Sequence, residues 1–207
     1  MKLSSNAFND NAPIPGEHAF AVPDAQSRYA LSTNRNPHLA WAEVPERTQS
    51  FVLICHDPDV PSVGDDVNQE GKSISASLPR VDFYHWLLID IPANQREIPE
   101  GSHSAAITPR GKNGPHTTDG QRHGINDYTS WFASDPQMSG EYYGYDGPCP
   151  PWNDERLHRY VFTLYALDVP ELAIKGPLNG ANILKALQGH VLAKVSLTGT
   201  YTLNMNL

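Results

Sequence analysis

Three stretches of the chain carry strong β patterns. Phe51-Val52-Leu53-Ile54-Cys55-His56 is a continuous β-prone run, typical of a strand buried on both faces. Phe83 to Ile91 predicts a second core strand, stopped by Pro92. In the third, Tyr160, Phe162, Leu164 and Ala166 alternate against Val161, Thr163, Tyr165 and Leu167. Pro37-His38-Leu39-Ala40-Trp41 predicts a short strand before the turn at Val44-Pro45-Glu46, and the tail from Val195 to Leu203 alternates like a half-buried strand. One segment reads as a helix. Ile183, Leu184, Leu187, Val191 and Leu192 share an apolar face of 3.6-residue period, which places a helix near residues 180–192, with Asn179 or Asn182 available to cap it.

Between these elements the pattern fades. Residues 1–27 are polar and proline-punctuated and read as an extended N-terminal arm with little structure of their own. Residues 62–80 read as an exposed loop. Residues 93–143 show no long period, and an irregular connection of that length is usually functional or held by local turns. No repeat or linker divides the chain, so 1–207 is expected to be a single β-rich domain with one principal helix.

Composition narrows the function classes. The formal net charge is −8, with 23 acidic against 15 basic residues, which argues against non-specific nucleic-acid binding and against a polybasic membrane patch. Runs such as Phe51–Cys55 and Trp86–Ile89 are far too short to span a bilayer. The first twenty residues hold no apolar segment of the secretory type, so the cytoplasm is the expected location. Two cysteines, Cys55 and Cys149, make neither a disulfide framework nor a zinc-type spacing.

The candidate chemistry gathers at two proline-stiffened loops, Asp57-Pro58-Asp59-Val60-Pro61 and Gly147-Pro148-Cys149-Pro150-Pro151, each beside a histidine in a β pattern, His85 and His158. Asp-Pro commonly starts a turn, and a lone histidine in an apolar strand is commonly a satisfied core residue. Two histidines so placed weaken that reading and leave a pocket rim open as the alternative. An aspartate paired with either imidazole would favour a cation able to meet an anion. In the second loop only Gly147 and Cys149 keep N–H groups, two donors on a rigid frame. Asp57, Asp59, His85 and His158 suit Zn or Fe by residue type, but their spacing is not diagnostic. Serine-elbow, phosphate-loop, dinucleotide and zincin motifs are all missing.

Taken in order, Asp57-Pro58-Asp59-Val60-Pro61, the His85 strand, and Gly147-Pro148-x-Pro150-Pro151 with His158-Arg159-Tyr160 resemble the phosphatidylethanolamine-binding protein family, also called the Raf kinase inhibitor protein family, in its bacterial form. The resemblance spans roughly residues 30–205. It implies a β-sandwich of a large and a smaller antiparallel sheet, a helix near the C-terminus, and a small pocket holding anions such as phosphate. By motif position it implies ligand-binding roles for Asp57, Asp59, His85, Gly147, His158 and Tyr160, with no catalytic residue, metal or cofactor. An oxyanion is expected where His85, the Gly147 N–H and the Tyr160 hydroxyl converge, with Asp57 or Asp59 orienting an imidazole.

The chain departs from animal members at residues 101–143, whose His103, His116, His123, Tyr128, Tyr142 and Tyr143 bear on pocket access. The expected function is cytoplasmic binding of a small phosphorylated ligand, such as phosphate or a phosphoethanolamine-like head group. Two alternatives stay open: an interaction module that inhibits a protease or kinase, and a metal-dependent hydrolase. A homodimer is compatible with either binding role.

Overall fold

The structure is a computed structural model describing residues 1–207. Its strands are β1 (Lys2–Ser4), β2 (Ala12–Pro13), β3 (Ala21–Asp24), β4 (Arg28–Leu31), β5 (Leu39–Ala42), β6 (Ser50–Pro61), β7 (Arg80–Pro92), β8 (Glu97–Ile98), β9 (Arg122–His123), β10 (His158–Leu167) and β11 (Val191–Tyr201). Two short helices, α1 (Tyr128–Trp131) and α2 (Gly180–Ala186), complete the set. A six-stranded sheet in the order β2-β11-β10-β6-β7-β9 is antiparallel except where β2 joins β11. A three-stranded antiparallel sheet, β1-β5-β8, and the β3-β4 hairpin accompany it.

The two faces of the large sheet bury different side chains. Phe51, Leu53, Cys55, Trp86, Leu88, Phe162 and Leu164 pack with Leu39, Trp41 and Ile98 of the smaller sheet, forming the sandwich core. On the other face Val52, Ile54, Leu87, Ile89 and Leu167 pack with Ile183 and Leu187 at α2. This is why β6 reads as an unbroken apolar run: both of its faces are covered. No helix is long and apolar enough to cross a membrane.

Two expectations need correction. Residues 1–27 are extended but built into the domain: β1 pairs with β5, and Phe8, Ile14, Ala19 and Ala21 lie in the main core. The helix ends at Ala186, well before residue 192. Gly189 then takes a φ of 85°, and Val191 and Leu192 belong to β11, where Val191 faces Leu167. The cap is at Asn179, whose side chain accepts from the Asn182 N–H at 3.0 Å.

Candidate ligand-binding site

Two irregularities in the β6–β7 ladder shape the site. Cys55 faces Trp86 while His56 faces Tyr84, so His85 is an extra residue on β7. Such a bulge re-aims side chains. Its effect is visible in the packing: Tyr84 packs on the α2 face, whereas Trp86 enters the sandwich core and His85 turns into a cavity. Farther along, Asp57 faces Phe83 and Val60 faces Val81, so β6 carries the extra residue around Pro58, which has no N–H to offer the ladder. Strict i, i+2 alternation would put Asp57 and Asp59 on one face. The bulge separates them.

Asp57 and His158 meet at 2.6 Å, with Nδ1–H donating to Oδ2, and the other Asp57 oxygen accepts the Asp59 N–H at 2.7 Å. His158 Nε2 donates to Asp154 Oδ2 at 3.1 Å, and Arg80 grips the same Asp154 carboxylate at 2.5 and 3.0 Å. Burial alone would lower the His158 pKa, but the hydrogen bonds and charges of Asp154 and Asp57 outweigh it and hold it at about 9. His158 is therefore an imidazolium with both N–H groups committed. Its charge is balanced by the two carboxylates, and it offers the cavity no free donor.

His85 is the opposite case. Its Nδ1 lies 2.7 Å from the Asp146 carbonyl oxygen, and its own carbonyl accepts the Asp146 N–H at 3.0 Å. A carbonyl only accepts, so Nδ1 carries the proton and Nε2 presents a lone pair that no protein group meets. Burial lowers the pKa to about 4, against the smaller opposing effects of Asp57 and the Asp146 carbonyl. Asp146 is itself anchored, by Lys112, Asn34 and Asn126, each at 2.8 Å.

Asp57, His85, His158 and Tyr160 thus line one cavity of about 670 Å³. Burial first, and then the Asp57 charge, raise the Tyr160 phenol pKa well above its usual value, so it remains a protonated donor. The remaining wall is apolar and aromatic, including Phe20, Phe83, Tyr128, Phe132 and Met138. Phe20 stacks on Tyr128 at 4.9 Å, and the Tyr128 hydroxyl donates to the Gly147 carbonyl at 2.7 Å.

Two anticipated site residues lie elsewhere. Asp59 points away from the cavity into the guanidinium of Arg159 (2.8 and 3.0 Å) and that of Arg156 (3.1 Å), because the bulge sends it to the outward face of β10. Gly147 donates its N–H to Asn34 Oδ1 at 2.8 Å, so that donor is taken. Its lack of a side chain matters instead: a Cβ there would fall 2.1 Å from the His18 carbonyl oxygen. The second loop donor, the Cys149 N–H, meets no protein acceptor, and Cys149 lines the cavity. The expected aspartate–imidazole pair involves Asp57 and His158; His85 is oriented by a backbone carbonyl.

Asp154, Arg80 and Asp146 escaped the sequence reading because their partners are distant in the chain. Only Asp154, four residues before His158, left a local signal. Tyr128, from the irregular region, lies in the cavity wall. His103 and His123 from that region bond to each other at 2.8 Å, outside the cavity lining.

A β-sandwich with a histidine-centred cavity at its strand ends defines the class of fold, and comparison with known proteins gives the family. The phosphatidylethanolamine-binding protein family model matches residues 4–202, and the chain belongs to that family. It is 33% identical to a UPF0098 protein of Methanothermobacter thermautotrophicus over 202 residues, covering 97% of this chain and 98% of that one. The Escherichia coli UPF0098 protein YbhB is 29% identical over 202 residues, 98% of this chain and 100% of its own. Among solved structures, a phosphatidylethanolamine-binding protein homolog from Chlamydia trachomatis superposes with a TM-score of 0.62 at 28% identity, covering 96% and 95% of the two chains.

Proposed function

We propose that this is a cytoplasmic protein that binds a small phosphorylated ligand, phosphate or a phosphoethanolamine-like head group, and does not turn it over. One observation carries the reading. The His85 Nε2 lone pair, fixed in its tautomer by the Asp146 carbonyl, faces the cavity without a protein partner beside the His158 imidazolium. A protonated phosphate oxygen would donate to Nε2 and the Cys149 N–H to another oxygen, while the Tyr160 hydroxyl, hydrogen-bonded to Asp57, would have to turn from that carboxylate to reach the ligand.

The same geometry favours binding over catalysis. His158 has no lone pair to act as a base, because both nitrogens donate to aspartates, and His85, whose Nε2 is open, is held by burial at a pKa of about 4 and is a weak base. Burial raises the Cys149 thiol to about 12, far from a reactive thiolate. Apolar walls beside the polar end suit a ligand whose phosphate is attached to an apolar or small organic group.

Titration calorimetry of the wild type and His85→Ala with phosphate and with phosphoethanolamine tests the proposal. A charge-assisted hydrogen bond removed from a buried site is worth about 1.5–3 kcal/mol, so roughly a ten- to hundred-fold loss of affinity is expected. Unchanged affinity in a folded variant places the ligand elsewhere.

A further inference from the structure

The turn at Gly16–His18 holds a buried histidine that the cavity does not use. His18 Nδ1 lies 3.0 Å from the Arg35 carbonyl oxygen, so Nδ1 carries the proton and Nε2 presents its lone pair. That Nε2 is buried with no hydrogen-bond partner, a costly state for a polar atom. It lies 3.8 Å from Glu17 Oε1. One ligand atom from each of Glu17, His18 and Glu100 falls within 4.8 Å of the other two. The nearest cation is Arg35, whose Nη1 sits 2.7 Å from Glu100 Oε1.

We propose that Glu17, His18 and Glu100 form a divalent metal site, with Zn²⁺ the ion their chemistry suits best. One imidazole nitrogen and two carboxylates make a three-ligand set that leaves the fourth tetrahedral position to water. The bond from His18 to the Arg35 carbonyl is the kind of outer contact that fixes the tautomer of a metal-binding imidazole. Metal–ligand bonds of about 2.0–2.2 Å require ligand atoms about 3.3 Å apart. The glutamate side chains, 55% and 37% exposed, can close that distance by rotation while His18 stays in place. The ion would displace the Arg35 guanidinium and balance both carboxylates.

The site lies outside the cavity but touches its frame. The His18 carbonyl accepts from the Tyr145 hydroxyl at 2.5 Å, and Phe20, two residues on, lines the cavity. A bound ion would pin this segment to the turn that carries Glu100.

The test is calorimetric titration of the metal-stripped full chain with Zn²⁺, together with NMR of the histidine ring signals. One ion per chain is expected, shifting His18. The double variant Glu17→Gln/Glu100→Gln alters only partly exposed side chains and should weaken Zn²⁺ by roughly ten- to a hundred-fold. Arg35→Met removes the competing cation, keeps the carbonyl that orients His18, and should bind Zn²⁺ more tightly than the wild type. Unchanged affinity in the double variant, no gain in Arg35→Met, or Zn²⁺ shifts confined to other histidines would overturn the proposal.

Discussion

At the scale of single residues, two histidines of one cavity are held in opposite states. His158 lies between two carboxylates and stays charged, whereas His85 bonds a carbonyl and is kept neutral by burial. Removing Asp154 by substitution with Ala would leave Arg80 and the imidazolium short of their shared partner. Stripping one member from a buried charge network costs about 3–5 kcal/mol, and chemical denaturation should register that loss. An NMR pH titration of the same variant should show the His158 pKa falling below 9. Sequence reading identified His85, His158, Asp57 and Tyr160 as neighbours through the family motif. It did not separate the two imidazoles' roles, because Asp146 and Asp154 act through three-dimensional contacts that leave no spacing rule. Asp59 shares the motif with Asp57, but motif position does not say which way a side chain turns, and the bulge around Pro58 sends Asp59 to Arg159 and Arg156.

At the scale of elements, the core strands were legible because each needs only its own pattern. In β10, His158, Tyr160, Phe162, Leu164 and Ala166 point inward as their alternation requires. The helix was harder to bound. Val191 and Leu192 continue the apolar period of α2, yet Gly189 and the pairing of β11 with β10 end it first. Tertiary pairing overrode the local period. The start of α2 makes the complementary point: Asn179→Ala removes its side-chain cap and should cost about 1 kcal/mol by chemical denaturation, without altering ligand affinity. Gly147→Ala should be worse than its small volume suggests, because the new Cβ would meet the His18 carbonyl; a lowered melting temperature would register this.

For the whole molecule, the buried histidines set the dependence of stability on pH. His85 and His103, each lowered to about 4, and His123, lowered to about 3, owe their shifts first to burial. Unfolding lets all three take up protons below their ordinary value of 6.5, so stability falls as pH drops from there toward 4. At about 1.4 kcal/mol per pH unit per proton, the slope approaches roughly 4 kcal/mol per unit. His158 works in the other direction. Raised to about 9, it contributes stability that is fully present below 6.5 and is lost as pH rises through 9, at about 1.4 kcal/mol per unit. Denaturation measured across pH should therefore show a maximum near 6.5, steeper on its acid side; a curve rising from pH 6.5 to 9 would refute the assignment of His158.

The proposed phosphorylated ligand would meet His85 at Nε2. The most direct measurement is ¹⁵N NMR of the imidazole nitrogens during titration with phosphate and phosphoethanolamine. Among nine histidines, His85 should start with its proton on Nδ1 and an open lone pair on Nε2. On saturation its Nε2 signal should move toward that of a hydrogen-bonded or protonated nitrogen, while His158 remains an imidazolium throughout. A His85 signal unmoved at saturating ligand would contradict the account.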